Sequence, residues 1–436
     1  MVTLVGFAVG TVILIARLWH RVRHPGIFAE DGLLFYLQGD EIGAGAILRP
    51  YAGYLHLVPR LGAAAVAPFG LPAVPVGYAL YTGGLTVAPF SLVLSPRLGH
   101  LLPSAWGRAL AFIVVCLVPQ FWETSEVLAS LIFVGGVALL LVGLSRTPGT
   151  RPGRIAEMTA VLALGLSGPL VVFYSPLFAY RWLRARSAHN LWLVVIVAGT
   201  AVTQIWVFLD SGRQAATFTF DQVAAAYGQR VAGELLTSGG AAKVAFQSGE
   251  PLTKVALLWL LAVLLLAATE LGLQALLAVA VTMLAFAWAV RTYDVLLLDP
   301  GNGDRHVLVP AVALLVFIVA GFTTAAHRAS GPGPTLSREP ETNTADQPVS
   351  SSLRRFGVPR SLHALGAVVG LVTLLMTVPG IRAGIAIPSW SHRPTYDELT
   401  AFQDCRDHGR RNCPRVEVQP KGFFIDATHP WDPGIY

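Results

Sequence analysis

Apolar residues run along this chain in blocks of about the length needed to cross a bilayer, roughly 20 residues as helix. The blocks fall at Val2 to Leu18, Pro72 to Leu94, Ala109 to Phe121, Val127 to Leu144, Ala156 to Tyr180, Leu191 to Leu209, Val255 to Ala268, Leu271 to Val290, His306 to Ala325 and Leu365 to Ile387. Polar residues collect between them. The pattern predicts an all-α, polytopic transmembrane protein, because in lipid a helix satisfies its backbone hydrogen bonds within itself. Ala156 to Tyr180 is flanked by arginines at both ends and carries Ser167-Gly168-Pro169 at its middle. Basic flanks stay on the cytoplasmic side, so both ends of this block share a side and the block folds back as a hairpin of two short helices. The alternative is one kinked span. With the hairpin counted twice, about 11 helices cross the membrane.

The arginines of the short loops set the orientation. Arg97 and Arg108, then Arg146, Arg151 and Arg154, then Arg181, Arg184 and Arg186 mark three cytoplasmic loops, which places the N-terminus inside and the C-terminal tail outside. Arg17, Arg21 and Arg23 follow the first span on the outer side and oppose this reading; cytoplasmic basic residues preceding Met1 would reconcile them. The domain division that follows is a transmembrane region over 1–326 with long outer loops, a linker over 327–362, a last span over 363–387 and a small extracytoplasmic tail over 388–436. The linker is rich in Pro, Ser, Thr and charge and reads as flexible.

Composition narrows the class. Of 436 residues, 54% are hydrophobic and only 13% charged, half the charge of an ordinary soluble protein. The pI of 9.4 raises nucleic acid as a partner, but the basic residues flank spans and form no stripe interleaved with aromatics, so the partner implied is the bilayer. Only three of the 31 basic residues are lysines, a coding bias that suggests a bacterial inner membrane. Of the three cysteines, Cys116 lies within a span, while Cys405 and Cys413 share the outer tail, where oxidation is permitted. A disulfide between them is expected, with a metal pair as the weaker reading.

Candidate chemistry gathers at the outer span ends. Glu30 and Asp31 are adjacent carboxylates just past the first span, able to act as a general base or to ligate a metal; a solvated helix N-terminus is the plain alternative. Arg49-Pro-Tyr-Ala-Gly-Tyr54-Leu-His56-Leu-Val-Pro-Arg60 follows, and Tyr54 to Phe69 reads as an amphipathic helix at the interface, with Leu55, Leu57, Val58 and Leu61 in lipid and Arg60 snorkelling. Arg49 and Arg60 are candidate partners for a lipid phosphate. Glu123 and Glu126 sit in a very short second outer turn, where capping by Thr124 or Ser125 is the plainer account. Arg305 and His306 open a span on the same side. No Walker loop, His-Glu-x-x-His, Cys-x-x-Cys or nucleophile elbow occurs.

An acidic pair directly after the first span, an interfacial helix behind it, short paired helices and long outer loops together resemble the GT-C superfamily of integral-membrane glycosyltransferases, which includes protein O-mannosyltransferases and mycobacterial arabinosyltransferases. Gly53-Tyr-Leu-His-Leu-Val-Pro-Arg60, Leu166-Ser-Gly-Pro169 and Gly303-Asp-Arg-His306 with Val309-Pro310 also resemble segments of bacterial membrane proteins assigned to that group. The resemblance implies a sugar donor on a polyprenyl phosphate, an extracytoplasmic glycan, lipid or protein acceptor, and inverting transfer with Asp31 or Glu30 as base, Asp31 being slightly preferred. It gives Arg305, His306, Arg49 and Arg60 to the donor phosphate. It gives Glu123, Glu126, Tyr54 and His56 to the acceptor or to a metal, with a divalent cation as candidate cofactor. A transporter or flippase of lipid-linked sugars is the alternative, and an acyltransferase or polymerase with His56 as base is a third.

Overall fold

A computed structural model describes residues 1–119, 121, 123–125, 127–212, 219–249, 251–293, 303–330, 359–384, 393–408, 413–418 and 423–425. The described chain is almost entirely helical. α1 (Val2–Arg23) leads into a π-helical turn, Asp31–Tyr36, continued by α2 (Leu37–Ile42). There follow α3 (Leu57–Val66), α4 (Val74–Ser91), α5 (Ala105–Cys116), α6 (Leu131–Leu144), α7 (Arg151–Gly165), α8 (Leu170–Arg184) and α9 (Ala188–Asp210). Short α10 (Phe220–Ala226) and α11 (Glu234–Leu236) flank a second π-helical stretch, Tyr227–Gly233, and α12 (Gly239–Ser248) precedes α13 (Pro251–Leu266). The long helices α14 (Leu273–Tyr293), α15 (Asp304–Ser330) and α16 (Arg360–Leu375), with α17 (Val378–Gly384), complete the membrane region. The tail forms α18 (Tyr396–Asp407) and two antiparallel strands, β1 (Val416–Val418) and β2 (Phe423–Ile425).

Among the described residues, seven stretches are long and apolar enough to cross a membrane: Val2–Arg23, Leu71–Leu94, Ala188–Asp210, Pro251–Leu271, Leu273–Val290, Asp304–Ser330 and Arg360–Gly384. The expected number of eleven depends on the other four, α5 to α8, which have 12 to 15 residues each. At 1.5 Å per residue they extend only about 18–22 Å. α15 is the axis of the bundle: 89% of its most apolar window is buried inside the protein, as expected of a helix apolar on every side. α16 lies along α15 so closely that a Cβ at Gly370 would stand 2.8 Å from the Phe322 backbone.

α7 and α8 form a hairpin. The chain turns at Leu166-Ser167-Gly168-Pro169, where Gly168 takes φ +152°, and Glu157 of α7 meets Arg181 of α8 at 3.0 Å. The turn is fastened to the first loop: the Leu57 amide donates to the Leu166 carbonyl (3.1 Å) and the Val58 amide to Ser167 Oγ (2.8 Å). At the opposite end, Glu157 gathers Arg97, Arg181 and His189 around one buried carboxylate, joining the 97 loop to the starts and ends of three helices.

The arginines that opposed the expected topology have structural work. Arg17 donates to the carbonyls of Cys116 (2.7 Å) and Val118 (2.9 Å), orphan acceptors at the C-terminus of α5, and to that of Gly384 (3.0 Å) at the end of α17. Arg21 donates to the carbonyl and hydroxyl of Ser125. These two are buried within α1, so their position reflects packing, whereas Arg23 is exposed and lies over the Trp19 ring.

The interfacial helix begins three residues later than expected. Tyr51 and Tyr54 close a tight turn, with Ala52 and Gly53 at positive φ, and helix starts only at Leu57. The delay rotates the side chains: Leu61 is exposed as expected, but Leu55 is buried, Leu57 and Val58 are half-buried, and Arg60 is buried under Phe35 instead of snorkelling.

Cys405 and Cys413 are joined by a disulfide, and Cys116 is a buried free thiol. The tail packs on the segment between α1 and α4: Gln403 Oε1 accepts from the Leu71 amide, Arg406 pairs with Asp40, and Ile425 lies against Gly32. Leu399, Phe402, Val416, Val418 and Ile425 share a core with Ile27, Ala29 and Phe35. Of the linker 327–362, residues 331–358 lie outside those described, while 327–330 belong to α15 and 360–362 to α16.

Candidate functional site

The segment after α1 separates its two carboxylates by burial. The Asp31 and Gly32 amides donate to the Phe28 carbonyl and start a π-helical turn, a form often found at functional sites. Asp31, 1% exposed, turns inward and accepts from the Leu128 amide at Oδ2 (2.8 Å) and the Ala129 amide at Oδ1 (2.9 Å). It therefore ties the segment after α1 to the chain ahead of α6. Burial pushes its carboxyl up to about 8, against the two amide donors that favour the ionised form.

That shift has a testable sign. A carboxyl with a folded pKa above its unfolded value binds more protons in the native state between the two values, so it favours the fold less as pH rises between about 4 and 8. Asn at this position does not titrate. The melting temperature of wild type relative to Asp31→Asn is expected to fall from pH 5 to pH 8; a constant or rising difference would contradict this.

Glu30 turns the other way, into a chamber of about 80 Å³ bounded by Tyr51, Tyr54, His56, Phe133, Arg305 and His306. Its Oε1 lies 3.9 Å from Arg305 Nη1 and accepts from the Tyr51 hydroxyl (3.4 Å). The Glu30 and Arg305 side chains are 19% and 22% exposed, so both are accessible and partly desolvated. His56 contacts the Tyr54 carbonyl through Nδ1 (3.1 Å), and its ring packs on Tyr51 and Phe35. Burial, with Arg60 and Arg305 adding to it, pushes its pKa down to about 4, so it is neutral at pH 7. A carbonyl only accepts, so neutral His56 donates from Nδ1 and keeps Nε2 as an acceptor.

Arg305 and His306 are delivered by the N-terminus of α15, which is held from two sides. Glu123 accepts from the amides of Gly303 and Arg305, both at 3.1 Å, and burial pushes its carboxyl up while Arg305 and these amides pull it back. Arg230, fully buried in the second π-helical stretch, pairs with Asp304 and with Glu234 (2.6 Å). His306 stands edge-on to Phe133, with ring centroids 4.7 Å apart.

One wall of the chamber is a collar of aromatic residues. Tyr54 stacks on Phe208 (5.6 Å), Phe208 meets Trp288 edge-on (5.3 Å), and Trp288 Nε1 donates to the Tyr54 hydroxyl (3.0 Å). Beyond the collar lies a groove of about 290 Å³ between α8, α9 and α14, lined by Val172, Phe173, Ile205, Phe208, Leu209 and Trp288. Tyr54, Pro169, Phe173 and Trp288 border both spaces. Ile205 and Leu209 are exposed on the outer surface of α9, so the groove opens sideways from the bundle.

The structure thus brings Glu30, Tyr54, His56, Arg305 and His306 to one chamber and sets Glu123 behind Arg305. Arg49 and Arg60 do not line it; Arg60 donates to the Leu34 carbonyl (3.2 Å) beneath Phe35. Glu126 lies outside the described residues. Among the described residues no three His, Cys, Asp or Glu side chains gather as a metal site. Sequence reading missed the collar and Arg230. The collar residues lie up to 234 positions apart, and Arg230 sits in a loop of ordinary composition. The chain matches no family model, no curated protein and no solved structure.

Proposed function

We propose that the protein is an extracytoplasmic glycosyltransferase of the bacterial inner membrane that moves a sugar from a polyprenyl phosphate to an envelope glycan, lipid or protein. The observation that carries this reading is a small chamber holding a carboxylate and an arginine, walled by an aromatic collar and continued as an apolar groove open toward lipid. An amphiphile with an anionic head and a long apolar chain would use both parts. Arg97, Arg146 and Arg181, which mark the short basic loops, lie at the opposite end of the bundle, which supports an outer position for the chamber.

In this reading Glu30 takes the proton of the acceptor hydroxyl as its oxygen attacks the anomeric carbon. The new glycosidic C–O bond forms on the face opposite the sugar–phosphate C–O bond that breaks, and the electron pair leaves on the polyprenyl phosphate. Arg305 stabilises that charge, its planar fork being suited to phosphate oxygens. Neutral His56 accepts a hydrogen bond from a sugar or acceptor hydroxyl. Asp31 keeps Glu30 in place, and Glu123 and Arg230 keep Arg305 in place.

The groove makes the reading testable through chain length. With purified protein and synthetic donors of increasing isoprenoid length, KM is expected to fall as the chain grows until the groove is filled. Val172→Asp in the groove should erase that gain, about tenfold in KM, while leaving kcat for a short-chain donor unchanged, since burying a charge beside an apolar chain is costly. Indifference of the wild type to chain length would overturn the assignment of the groove.

A further inference from the structure

The tail is built to press on one turn of the chain. In α18 a capping box closes the first turn, Thr395 and Glu398 each accepting from the other's amide, and Leu399 and Phe402 follow three residues apart on one face. In β1, Val416 and Val418 alternate onto one side of the strand, and Ile425 of β2 lies directly across from Val416. These five side chains are buried in one core with Ile27, Ala29, Leu34, Phe35 and Leu37, the apolar residues around the two carboxylates of the segment after α1. The Cys405–Cys413 disulfide joins the last turn of α18 to the chain entering β1, so helix and strands form one closed body. Gln403 on the Leu71 amide (2.8 Å) and Arg406 on Asp40 of α2 anchor it at two further points.

The decisive contact is at Gly32. A Cβ there would stand 2.8 Å from Ile425 Cδ1 and 3.0 Å from Ile27 Cγ2, so only hydrogen fits between the two isoleucines. Ile425 is fully buried and has no room to turn aside. Gly32 is the second residue of the π-helical turn, one position after Asp31 and two after Glu30. If the turn slipped by one residue, Asp31 or Leu33 would come under Ile425, and each carries the Cβ that this space excludes. The same slip would re-aim both carboxylates, because neighbouring residues point to different sides of a helix.

We infer that Ile425 is a positioning residue: the tail, acting through Gly32, fixes the register of the turn that sends Glu30 into the chamber and Asp31 into the protein. Ile425 does not border the chamber, so it acts through the backbone it packs on. Its effect on catalysis rests on the proposed reaction, whereas the register does not, and the two are read separately.

The register is read by labelling the carboxyl groups of the folded full-length protein in detergent with a water-soluble carbodiimide and glycine ethyl ester, followed by peptide mass spectrometry. Wild type is expected to take label at Glu30, which is partly exposed, and not at buried Asp31. Ile425→Ala should lose that selectivity and label both. Glu157, a similarly buried carboxylate within the α7–α8 hairpin, should stay unlabelled throughout, which separates a local change of register from general loosening. Gly32→Ala should also label both carboxylates, and adding Ile425→Val, which removes the obstructing Cδ1 atom, should restore the selectivity. On the proposed reaction, Ile425→Ala lowers kcat by about 10- to 100-fold with KM for the donor unchanged, the cost of a displacement of about 1 Å, while Ile425→Leu keeps most of the activity. Selective labelling of Glu30 in folded Ile425→Ala and Gly32→Ala would overturn the inference. Loss of selectivity in these variants of a protein that transfers no sugar would uphold the register and remove only the proposed reaction.

Discussion

Replacing Glu30 by Gln is expected to lower kcat for sugar transfer by about 10²- to 10⁴-fold, the range that a positioned general base contributes, with little change in KM for the donor. The substitution preserves shape and the hydrogen bond from Tyr51 but replaces the carboxylate proposed to take the acceptor proton with an amide that is not basic. Donor affinity should hold, because in the proposed reading the phosphate partner is Arg305. Arg305→Ala should therefore show the other signature, raising KM and lowering kcat together. Asp31→Asn gives a third pattern. Its two oxygens accept from the Leu128 and Ala129 amides, and Asn offers only one acceptor oxygen, so the variant should melt earlier yet retain most of its activity per folded molecule. Steady-state kinetics on the three purified variants, with melting curves beside them, separates these roles. Full kcat in Glu30→Gln with collapse in a folded Asp31→Asn would move the base to Asp31.

The largest effect on stability is expected at Glu157. Its carboxylate is nearly inaccessible and holds Arg181 at 3.0 Å and His189 at 2.6 Å, with Arg97 as a third partner. Glu157→Ala leaves those groups without their counter-charge in a region where water does not replace it. Removing one member of a buried ionic cluster costs about 3–5 kcal/mol, a large share of the stability of an ordinary domain. Combining Glu157→Ala with Arg181→Leu should recover part of the loss, because an apolar pair has no charge to desolvate. Thermal unfolding in detergent measures both. A melting temperature in Glu157→Ala equal to that of the wild type would show that the cluster is not what joins α7, α8 and α9 at this end.

Much of the architecture was legible because the bilayer restricts the choices. The break at Ser167-Gly168-Pro169 could be read from residues that interrupt a helix between two basic flanks, and the α7–α8 hairpin lies there. The lengths of α5 to α8 were less legible, since an apolar run does not say where helix stops and loop begins. Arg17 and Arg21 misled because a charge tally near span ends cannot see that a guanidinium is consumed by the orphan carbonyls of a neighbouring helix. The face of the interfacial segment was misread for a related reason. A tight turn at Tyr51 to Tyr54 delays the helix, and each residue of delay rotates the side chains by about 100°.

The site was legible by residue type and not by role. Sequence could put Glu30 beside Asp31 but not say which faces the chamber, since a one-residue difference in a π-helical turn reverses the answer. Arg305 and His306 could be chosen because they open a span on the carboxylate side. Apart from Tyr54, the aromatic collar could not, because Phe173, Phe208 and Trp288 come from three separate helices, and each alone is ordinary for a membrane interface.

The most direct test of the central claim is transfer itself: purified wild type with a panel of radiolabelled polyprenyl-phosphate sugars and envelope glycan, lipid or peptide acceptors, followed by separation of lipid-linked from acceptor-linked label. The account predicts that label leaves the lipid and appears on an acceptor for at least one donor, with release of polyprenyl phosphate in equal amount. Label that stays on the lipid for every donor, while the same protein in proteoliposomes carries the lipid-linked sugar from one leaflet to the other, would contradict it and make the protein a flippase.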